Sequence, residues 1–258
     1  MFKSSLVGLA ALAGVLIAGA PASAQTAPAS EPYTFVAEWQ IPRAQWAAFA
    51  TDFEKNTRPV LEKLAAGGTL ISWGVYETIV HVPEANTHGV WWSATSYAAM
   101  EKARRELLPA AAGSPSLAAA TGHRDYYLRS IVGGGKAGSG EGYLNVSQYV
   151  LKAGKGQEWK QLWEKHSKPI FDDLVAKGQL IDYSIDVEDV HTDNGMVRMV
   201  ATLSPSAEAD DQFVAAFDAA DAKLTPEERK TRGLTMEALL EPGMHRDLYA
   251  RVIRYWRK

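Results

Sequence analysis

Apolar positions recur along this chain with two different periods, and the changes of period divide its first half into strands and helices. Period-two alternation or β-rich composition predicts strands at residues 33–41, 69–81, 89–96 and 123–132. Helical spacing of apolar side chains predicts helices at residues 43–66 and 97–108. Pro59 should bend or break the first helix because it has no amide proton to donate. The predicted order is β-α-β-β-α-β.

The second half of the chain repeats this order. Its strands are predicted at residues 143–151, 179–191, 196–204 and 244–255, and its helices at residues 157–177 and 207–222. Asp193-Asn194-Gly195 predicts a tight hairpin turn between the two central strands. An insertion at residues 223–243 should open with a short helix, capped by Thr225 with Pro226 at its first position.

One polar motif occurs twice with the same spacing. His123-Arg124-Asp125, followed by Tyr127 and Arg129, returns as His245-Arg246-Asp247, followed by Tyr249 and Arg251. A repeat of roughly 110 to 120 residues is domain-sized and far longer than the units of solenoid proteins. The sequence therefore indicates one fold that has been duplicated and fused, with a two-fold-like contact between the copies.

Composition along the chain suggests five segments. We assign residues 1–24 to a signal peptide, 25–32 to a disordered lead-in, 33–132 to the first repeat, 133–142 to a flexible glycine-rich linker and 143–258 to the second repeat.

The first segment has the three parts of a secretory leader. Lys3 supplies the positive charge, Leu6 to Ala20 the apolar stretch, and Ala22-Ser23-Ala24 the small residues of a cleavage site. The apolar stretch is short for a membrane span, which needs about 20 residues. We therefore expect a periplasmic or secreted protein with no membrane association after the leader is removed.

Composition narrows the possible functions. The chain has no cysteine, which excludes disulfides, thiolate metal sites and c-type haem attachment. Its formal net charge is −3 and it carries no basic stripe, so a nucleic-acid partner is not expected. We predict no metal site and no cofactor.

The element order gives each repeat a ferredoxin-like sheet with both helices on one face. The other face of the sheet must be buried, and two copies in one chain can bury it by packing their open faces together. With its doubled element order and matched positions, residues 33–258 resemble the dimeric α+β barrel superfamily in its fused, two-repeat form. The expected fold class is α+β, with two tandem ferredoxin-like repeats packed as a pseudo-dimeric barrel in a monomer.

The resemblance implies a range of activities rather than one. The superfamily includes cofactor-free monooxygenases, haem-binding enzymes, isomerases and proteins of unknown role. The resemblance therefore supports the architecture and leaves the reaction open.

Strand periodicity suggests which residues face the shared interior. In the first of the two motif strands, Tyr126, Leu128 and Val132 are apolar, so we expect them beneath the helices and the His-x-Asp-x-Tyr-x-Arg positions inside the barrel. Trp91 and Arg198 are taken as matched inward positions of the third strands. The ligand-binding residues predicted in this way are Trp39, Tyr76, Trp91, Tyr127, Tyr149, Arg198 and Tyr249.

The doubled motif has two interpretations. In the first, its residues are catalytic: aspartate orients histidine as a general base, and arginine holds an anionic intermediate. The candidate catalytic residues are His123, Asp125, Arg129, His245, Asp247 and Arg251. In the second, Arg129 and Arg251 pair with carboxylates across the seam between the repeats and fix its register.

Three functions are consistent with the sequence. The leading hypothesis is an exported barrel protein that binds a small ligand, partly aromatic or apolar with a polar end, between its sheets. The first alternative is a cofactor-independent monooxygenase or isomerase with a histidine base and an arginine that holds the anion. The second alternative is a structural or interaction protein whose interior is filled by its own side chains. The cavity volume separates this last hypothesis from the other two.

Overall fold

The computed structural model of the chain describes residues 31–83, 85–190 and 197–258. The predicted signal peptide, most of the lead-in and the turn at Asp193-Asn194-Gly195 lie outside these residues.

The first repeat has the predicted β-α-β-β-α-β order, with its first helix in two parts. Its elements are β1 Tyr33–Gln40, α1 Trp46–Asp52, α2 Arg58–Ala66, β2 Ser72–Thr78, β3 His88–Ala94, α3 Tyr97–Ala112, α4 Pro115–Ala118 and β4 Gly122–Gly135.

Proline interrupts the first helix of each repeat, as predicted. Pro59 is the second residue of α2, and a wider π turn over Phe53–Thr57 joins α1 to α2. The widened turn lets the chain continue although Pro59 has no amide proton. In the second repeat the interruption is at Ser167, two residues before Pro169.

The second repeat follows the same course, and its last helix is longer than that of the first repeat. Its elements are β5 Gly138–Val150, α5 Gly156–His166, α6 Lys168–Lys177, β6 Asp182–Glu188, β7 Val197–Ser204, α7 Ala207–Asp221, α8 Pro226–Leu239 and β8 Arg246–Arg257. The insertion forms α8, and Thr225 caps it as predicted in a capping box with Glu228.

The eight strands form one closed barrel in the order β1-β3-β2-β8-β5-β7-β6-β4, with β4 pairing back to β1. All neighbouring strands are antiparallel. Each repeat contributes four adjacent strands, and the repeats join at two seams, β2–β8 and β4–β6. The predicted fold class is confirmed, and closure leaves no strand edge unpaired.

The fourth strand of each repeat extends into the sheet of the other repeat through a matched β-bulge. The extra residue is Ile131 on β4 and Ile253 on β8. Ile131 packs against the core of the second repeat, and Ile253 packs against the core of the first. The bulges turn these side chains beneath the partner's helices and link the two cores.

The glycine-rich segment is not the flexible linker that its composition predicted. Gly133 and Gly135 belong to β4 and pair with Ser184 and Asp182 of β6, while β5 already begins at Gly138. Glycine is required here by close packing, because a Cβ on Gly134 would lie 2.8 Å from the Tyr183 ring. Pairing with β6 therefore orders Gly133–Gly135, and pairing with β8 orders the residues from Gly138 onward.

His88, the first residue of β3, is buried in the core of the first repeat. Its ring lies 5.1 Å from that of Trp46 and 4.5 Å from that of Phe49, measured between centroids. Its Nδ1 atom is 3.0 Å from the hydroxyl of Thr87. Burial, with a smaller contribution from His81, lowers the pKa of His88 from 6.5 to about 4.

This buried imidazole should make stability depend on pH. The unfolded chain binds a proton at His88 below about pH 6.5, while the folded chain resists it down to about pH 4. The contribution of His88 to the free energy of unfolding is therefore fully present above about pH 6.5. It should fall by about 3 kcal/mol as the pH drops from there to about 4. Denaturant unfolding of wild type and His88→Phe at several pH values measures the difference. An unchanged pH dependence in His88→Phe would show that another group is responsible.

Candidate functional site

The repeated His-x-Asp-x-Tyr-x-Arg motif lies on the outer, helix-covered face of the barrel, not inside it as predicted. The Tyr127 ring stacks on Tyr97 of α3 at 5.2 Å. The Tyr249 hydroxyl donates to Asp210 of α7 at 2.8 Å. Trp39 of β1 also faces outward, toward the helices, with its ring 6.4 Å from that of Phe49.

The predicted faces of β4 were wrong because its apolar residues were expected to lie beneath the helices. Tyr126 and Leu128 line the barrel interior instead of the helices. There Leu128 joins an apolar layer with Val36 and Met199. A barrel that packs part of its own interior can be apolar on both faces of a strand, so polarity alone did not identify the helix side.

Of the remaining predicted ligand-binding residues, two face the interior and two do not. Tyr76 and Trp91 line the chamber inside the barrel, as predicted. Tyr149 and Arg198 are neighbours across the β5–β7 pair and lie on the outer face. The Tyr149 ring is 6.5 Å from that of Trp159 of α5.

Arg198 was also matched to the wrong residue. It pairs with Val187 as His88 pairs with Glu77 in the first repeat, so it corresponds to His88 rather than to Trp91. Its guanidinium donates to the carbonyl of Val197 at 2.8 Å, and burial lowers its pKa.

A cavity of about 160 Å³ lies between the sheet and the helices of the first repeat. We call it the helix–sheet pocket. It is enclosed by β1, β3 and β4 on one side and by α1, α3 and α4 on the other. Its walls are mainly apolar and include Phe35, Trp39, Phe49, Phe53, Trp92 and Leu107.

Three of the predicted site residues meet at the rim of the helix–sheet pocket. The rings of Trp39 and His123 stack 5.2 Å apart, with 11° between their planes, because the two residues are opposite one another on β1 and β4. His123 Nε2 lies 3.0 Å from Asp125 Oδ1. Burial raises the pKa of Asp125, and its neighbour His123 offsets part of this effect. The histidine is thus held in place by an aromatic ring and a carboxylate.

The rim also contains polar residues on the helices that the sequence reasoning missed. Asp52 accepts hydrogen bonds from the hydroxyls of Ser114 and Ser116, both at 2.7 Å. The bond from Ser114 is the largest cause of the lowered pKa of Asp52. Arg104 donates twice to Glu101, at 2.8 and 3.0 Å. The helices were predicted from the spacing of their apolar residues alone, and these polar side chains belong to no sequence motif.

The second repeat contains the same histidine, aspartate and aromatic ring. The rings of Tyr149 and His245 stack 4.6 Å apart, and His245 Nε2 lies 3.0 Å from Asp247 Oδ1. Ser147 also donates to Asp247 at 2.7 Å. The motif of each copy therefore builds the same local geometry.

The space beneath the helices differs between the repeats. Pro59 and Pro169 mark an offset of 110 positions. At this offset Trp159, Trp163 and Phe217 replace Phe49, Phe53 and Leu107. Phe217 packs 5.6 Å from Phe171 and 5.0 Å from Phe213. The second repeat thus carries larger side chains at the positions that line the pocket of the first.

The motif arginines lie at the seams. Arg129 donates to Asp189 of the second repeat at 3.0 Å and also pairs with Glu31. Arg251 faces Glu77 across the β2–β8 seam. Neither arginine lines the helix–sheet pocket. For Arg129 this geometry matches the structural interpretation, in which an ion pair fixes the register of the two halves.

The interior of the barrel is a second, larger cavity of about 1120 Å³. We call it the barrel chamber. The alternative of an interior filled by its own side chains is therefore wrong.

Within residues 31–83, 85–190 and 197–258, no three His, Asp or Glu side chains converge as metal ligands. Of the helices in this described part, none is long and apolar enough to cross a membrane.

Comparison with known proteins identifies the fold. No family model matches the chain, and no curated protein matches its sequence significantly. A candidate monooxygenase from Fusobacterium nucleatum subsp. nucleatum ATCC 25586 aligns with a TM-score of 0.66 and 8% identity, over 89% of this chain and 95% of that one. A candidate monooxygenase from Lactobacillus acidophilus NCFM aligns with a TM-score of 0.61 and 12% identity, over 88% of this chain and 97% of that one.

A mutant chlorite dismutase from Candidatus Nitrospira defluvii is also similar, with a TM-score of 0.51 and 12% identity over 86% of this chain and 92% of that one. At such identities the shared property is the fold. The alignments span both repeats of this chain. The chain therefore has the fold of the dimeric α+β barrel superfamily, with its two ferredoxin-like units fused in one polypeptide.

Proposed function

We propose that the helix–sheet pocket binds a small aromatic molecule with a polar end. The observation that carries this proposal is a mainly apolar cavity of about 160 Å³ with the His123–Asp125 pair at its rim. An apolar cavity of about this size in another protein holds one benzene ring. The pocket is therefore matched to a single substituted ring.

The aromatic walls support this choice of ligand. Phe35 and Trp92 stack at 4.6 Å, and Trp39 lies beside Phe49. Such walls offer ring faces and edges against which a further ring can pack. The hydroxyl or carbonyl of the ligand would then point toward His123 and Asp125, the polar groups of the rim.

The His–Asp pair also favours a second candidate function, the cofactor-independent oxygenation or isomerisation of such a ligand. Asp125 accepts from His123 and leaves the other ring nitrogen to take a proton from a phenol or enol. The arginine differs from the predicted one, because Arg104 lines the pocket and Arg129 does not. The names of the two monooxygenase-like neighbours are consistent with this chemistry.

We further propose that the protein is exported to the periplasm or the exterior. Support comes from the leader pattern of Lys3, the following apolar stretch and Ala22-Ser23-Ala24. The absence of cysteine is compatible with an oxidising compartment, since the fold has no thiols to protect.

Ligand binding can be tested by titration calorimetry with phenol, p-cresol and catechol. Trp39→Leu removes one ring of the wall and should weaken binding roughly tenfold, the equivalent of ~1.4 kcal/mol. Tyr149→Leu is the matched control, since Tyr149 holds the same position in the second repeat and does not line the helix–sheet pocket. Equal losses in both variants, or no binding by the wild type, would contradict the proposed pocket.

Turnover can be tested by oxygen uptake with catechol or hydroquinone in chelator-treated buffer. His123→Ala should lower kcat by roughly 10²- to 10⁴-fold, because a positioned base contributes about that much. His245→Ala is the matched control and should retain full activity. If the wild type consumes no oxygen above buffer while still binding phenols, the oxygenase function is wrong and the binding function stands.

Export can be tested by expressing the chain in a bacterium and measuring the intact mass of the periplasmic protein. Cleavage after Ala24 predicts a mature chain that begins at Gln25. Ala24→Arg should block this cleavage. A wild-type protein that keeps residues 1–24 and stays in the cytoplasm would contradict export.

A further inference from the structure

The barrel chamber has properties of a binding site that the helix–sheet pocket does not share. Its volume of about 1120 Å³ compares with about 160 Å³ for the pocket. Eight-stranded barrels are either filled by their own side chains or wide enough to hold one small ligand. The volume places this barrel in the second group.

Small inward side chains keep part of the chamber open. In a fully packed barrel these positions would carry large branched residues. The small residues that line it include Thr34, Ser72, Ser93, Ser130, Gly133 and Ser184. Five of these six carry a hydroxyl group, so this part of the chamber is polar as well as open.

One wall of the chamber offers an aromatic platform. A Cβ on Gly74 would lie 2.1 Å from the Trp91 ring, so the indole can lie over this glycine only because it has no side chain. The indole is partly exposed and lines the chamber. The hydroxyls of Thr34 and Ser93, on β1 and β3 beside it, are 2.8 Å apart. An apolar surface thus lies next to hydrogen-bonding groups.

Carboxylates of β6 add hydrogen-bonding groups to the chamber. Asp186 accepts from Ser130 at 2.5 Å and from Ser184 at 2.7 Å. Arg257 donates to Asp182 at 2.7 Å. A carboxylate has about four acceptor positions, so each of these groups can still accept from a ligand hydroxyl.

Charge in the chamber is nearly balanced. The lining carries five carboxylates and three guanidinium groups, those of Glu31, Glu38, Asp182, Asp186 and Asp247 and of Arg124, Arg246 and Arg257. Burial raises the pKa of Asp182 to about 7 and raises that of Asp186, which reduces the negative charge. The chamber lining therefore has no large excess of positive or negative charge that would favour an ionic ligand.

We propose that the barrel chamber binds a neutral polyhydroxylated molecule, such as a mono- or disaccharide. The C–H face of a sugar ring can pack on Trp91, while its hydroxyls bond to the serines and to Asp182, Asp186 and Arg257. A flat aromatic ligand would use the indole and leave the spare acceptor positions of these hydroxyls and carboxylates unused. The hydroxyl-rich lining therefore favours the sugar.

This site shares only His123 with the helix–sheet pocket. Trp91 and Trp92 are consecutive on β3, and only Trp91 points into the barrel while Trp92 lines the pocket. Variants of one residue can therefore change one cavity without removing a side chain from the other.

Titration calorimetry of the full chain with glucose, maltose and sucrose tests this site, with glucuronate and glucosamine as charged counterparts of glucose. We expect at least one neutral sugar to bind and its charged counterpart to bind more weakly. Trp91→Leu should weaken sugar binding roughly tenfold. Ser93→Ala, which leaves the indole in place, should weaken sugar binding several-fold. Trp39→Leu changes only the other cavity and should leave the sugar affinity unchanged.

Three results would overturn the proposal. The first is the absence of heat for every neutral sugar up to about 50 mM, which would place any Kd above the millimolar range. The second is wild-type sugar affinity in both Trp91→Leu and Ser93→Ala. The third is a loss of sugar affinity in Trp39→Leu equal to that in Trp91→Leu. Thermal unfolding confirms the fold of each variant, and Ser93→Ala alone decides the result if Trp91→Leu does not fold.

Discussion

The structure depends on the fourth strand of each repeat, which pairs both with its own sheet and with the sheet of the other repeat. Alone, each ferredoxin-like sheet would leave strand edges and one whole face exposed to water. β4 pairs with β6 and β8 pairs with β2, so the edges of each sheet are paired by strands of the other. Ile131 and Ile253 pack in the partner's core at the bulges of these strands. The same strand pairings therefore close the barrel and join the two cores.

Closure also gives every strand two different environments. On β1, Trp39 faces the helices and Glu38 faces the interior, where it accepts from Tyr76 at 2.5 Å. On β3, Trp92 and Trp91 are divided in the same way. Both cavities thus use the same rigid sheet, and neighbouring residues serve different sites. Position along the chain therefore says little about which site a residue belongs to.

The sequence predicted the architecture better than it predicted the faces of the strands. Duplication, element order, the cap at Thr225 and the interruptions at the prolines all depend on local chemistry, and all are confirmed. The faces of β1 and β4 depend on what the opposite wall of the barrel supplies, which local polarity does not contain. Glu38 was the available signal, because a carboxylate does not fit a helix-covered face. The prediction for Gly133–Gly135 was wrong for a similar reason, since the groups that leave no room for side chains there, such as the Tyr183 ring beside Gly134, belong to other strands.

The two repeats carry side chains of different size beneath their helices, and this difference shows what gene fusion makes possible. In a dimer of identical chains, one gene encodes both halves, so an empty space in one subunit is present in the other and weakens packing twice. Here Trp159 and Trp163 stand where the other half has Phe49 and Phe53. A fused gene allows one half to acquire larger side chains beneath its helices while the other half keeps a cavity.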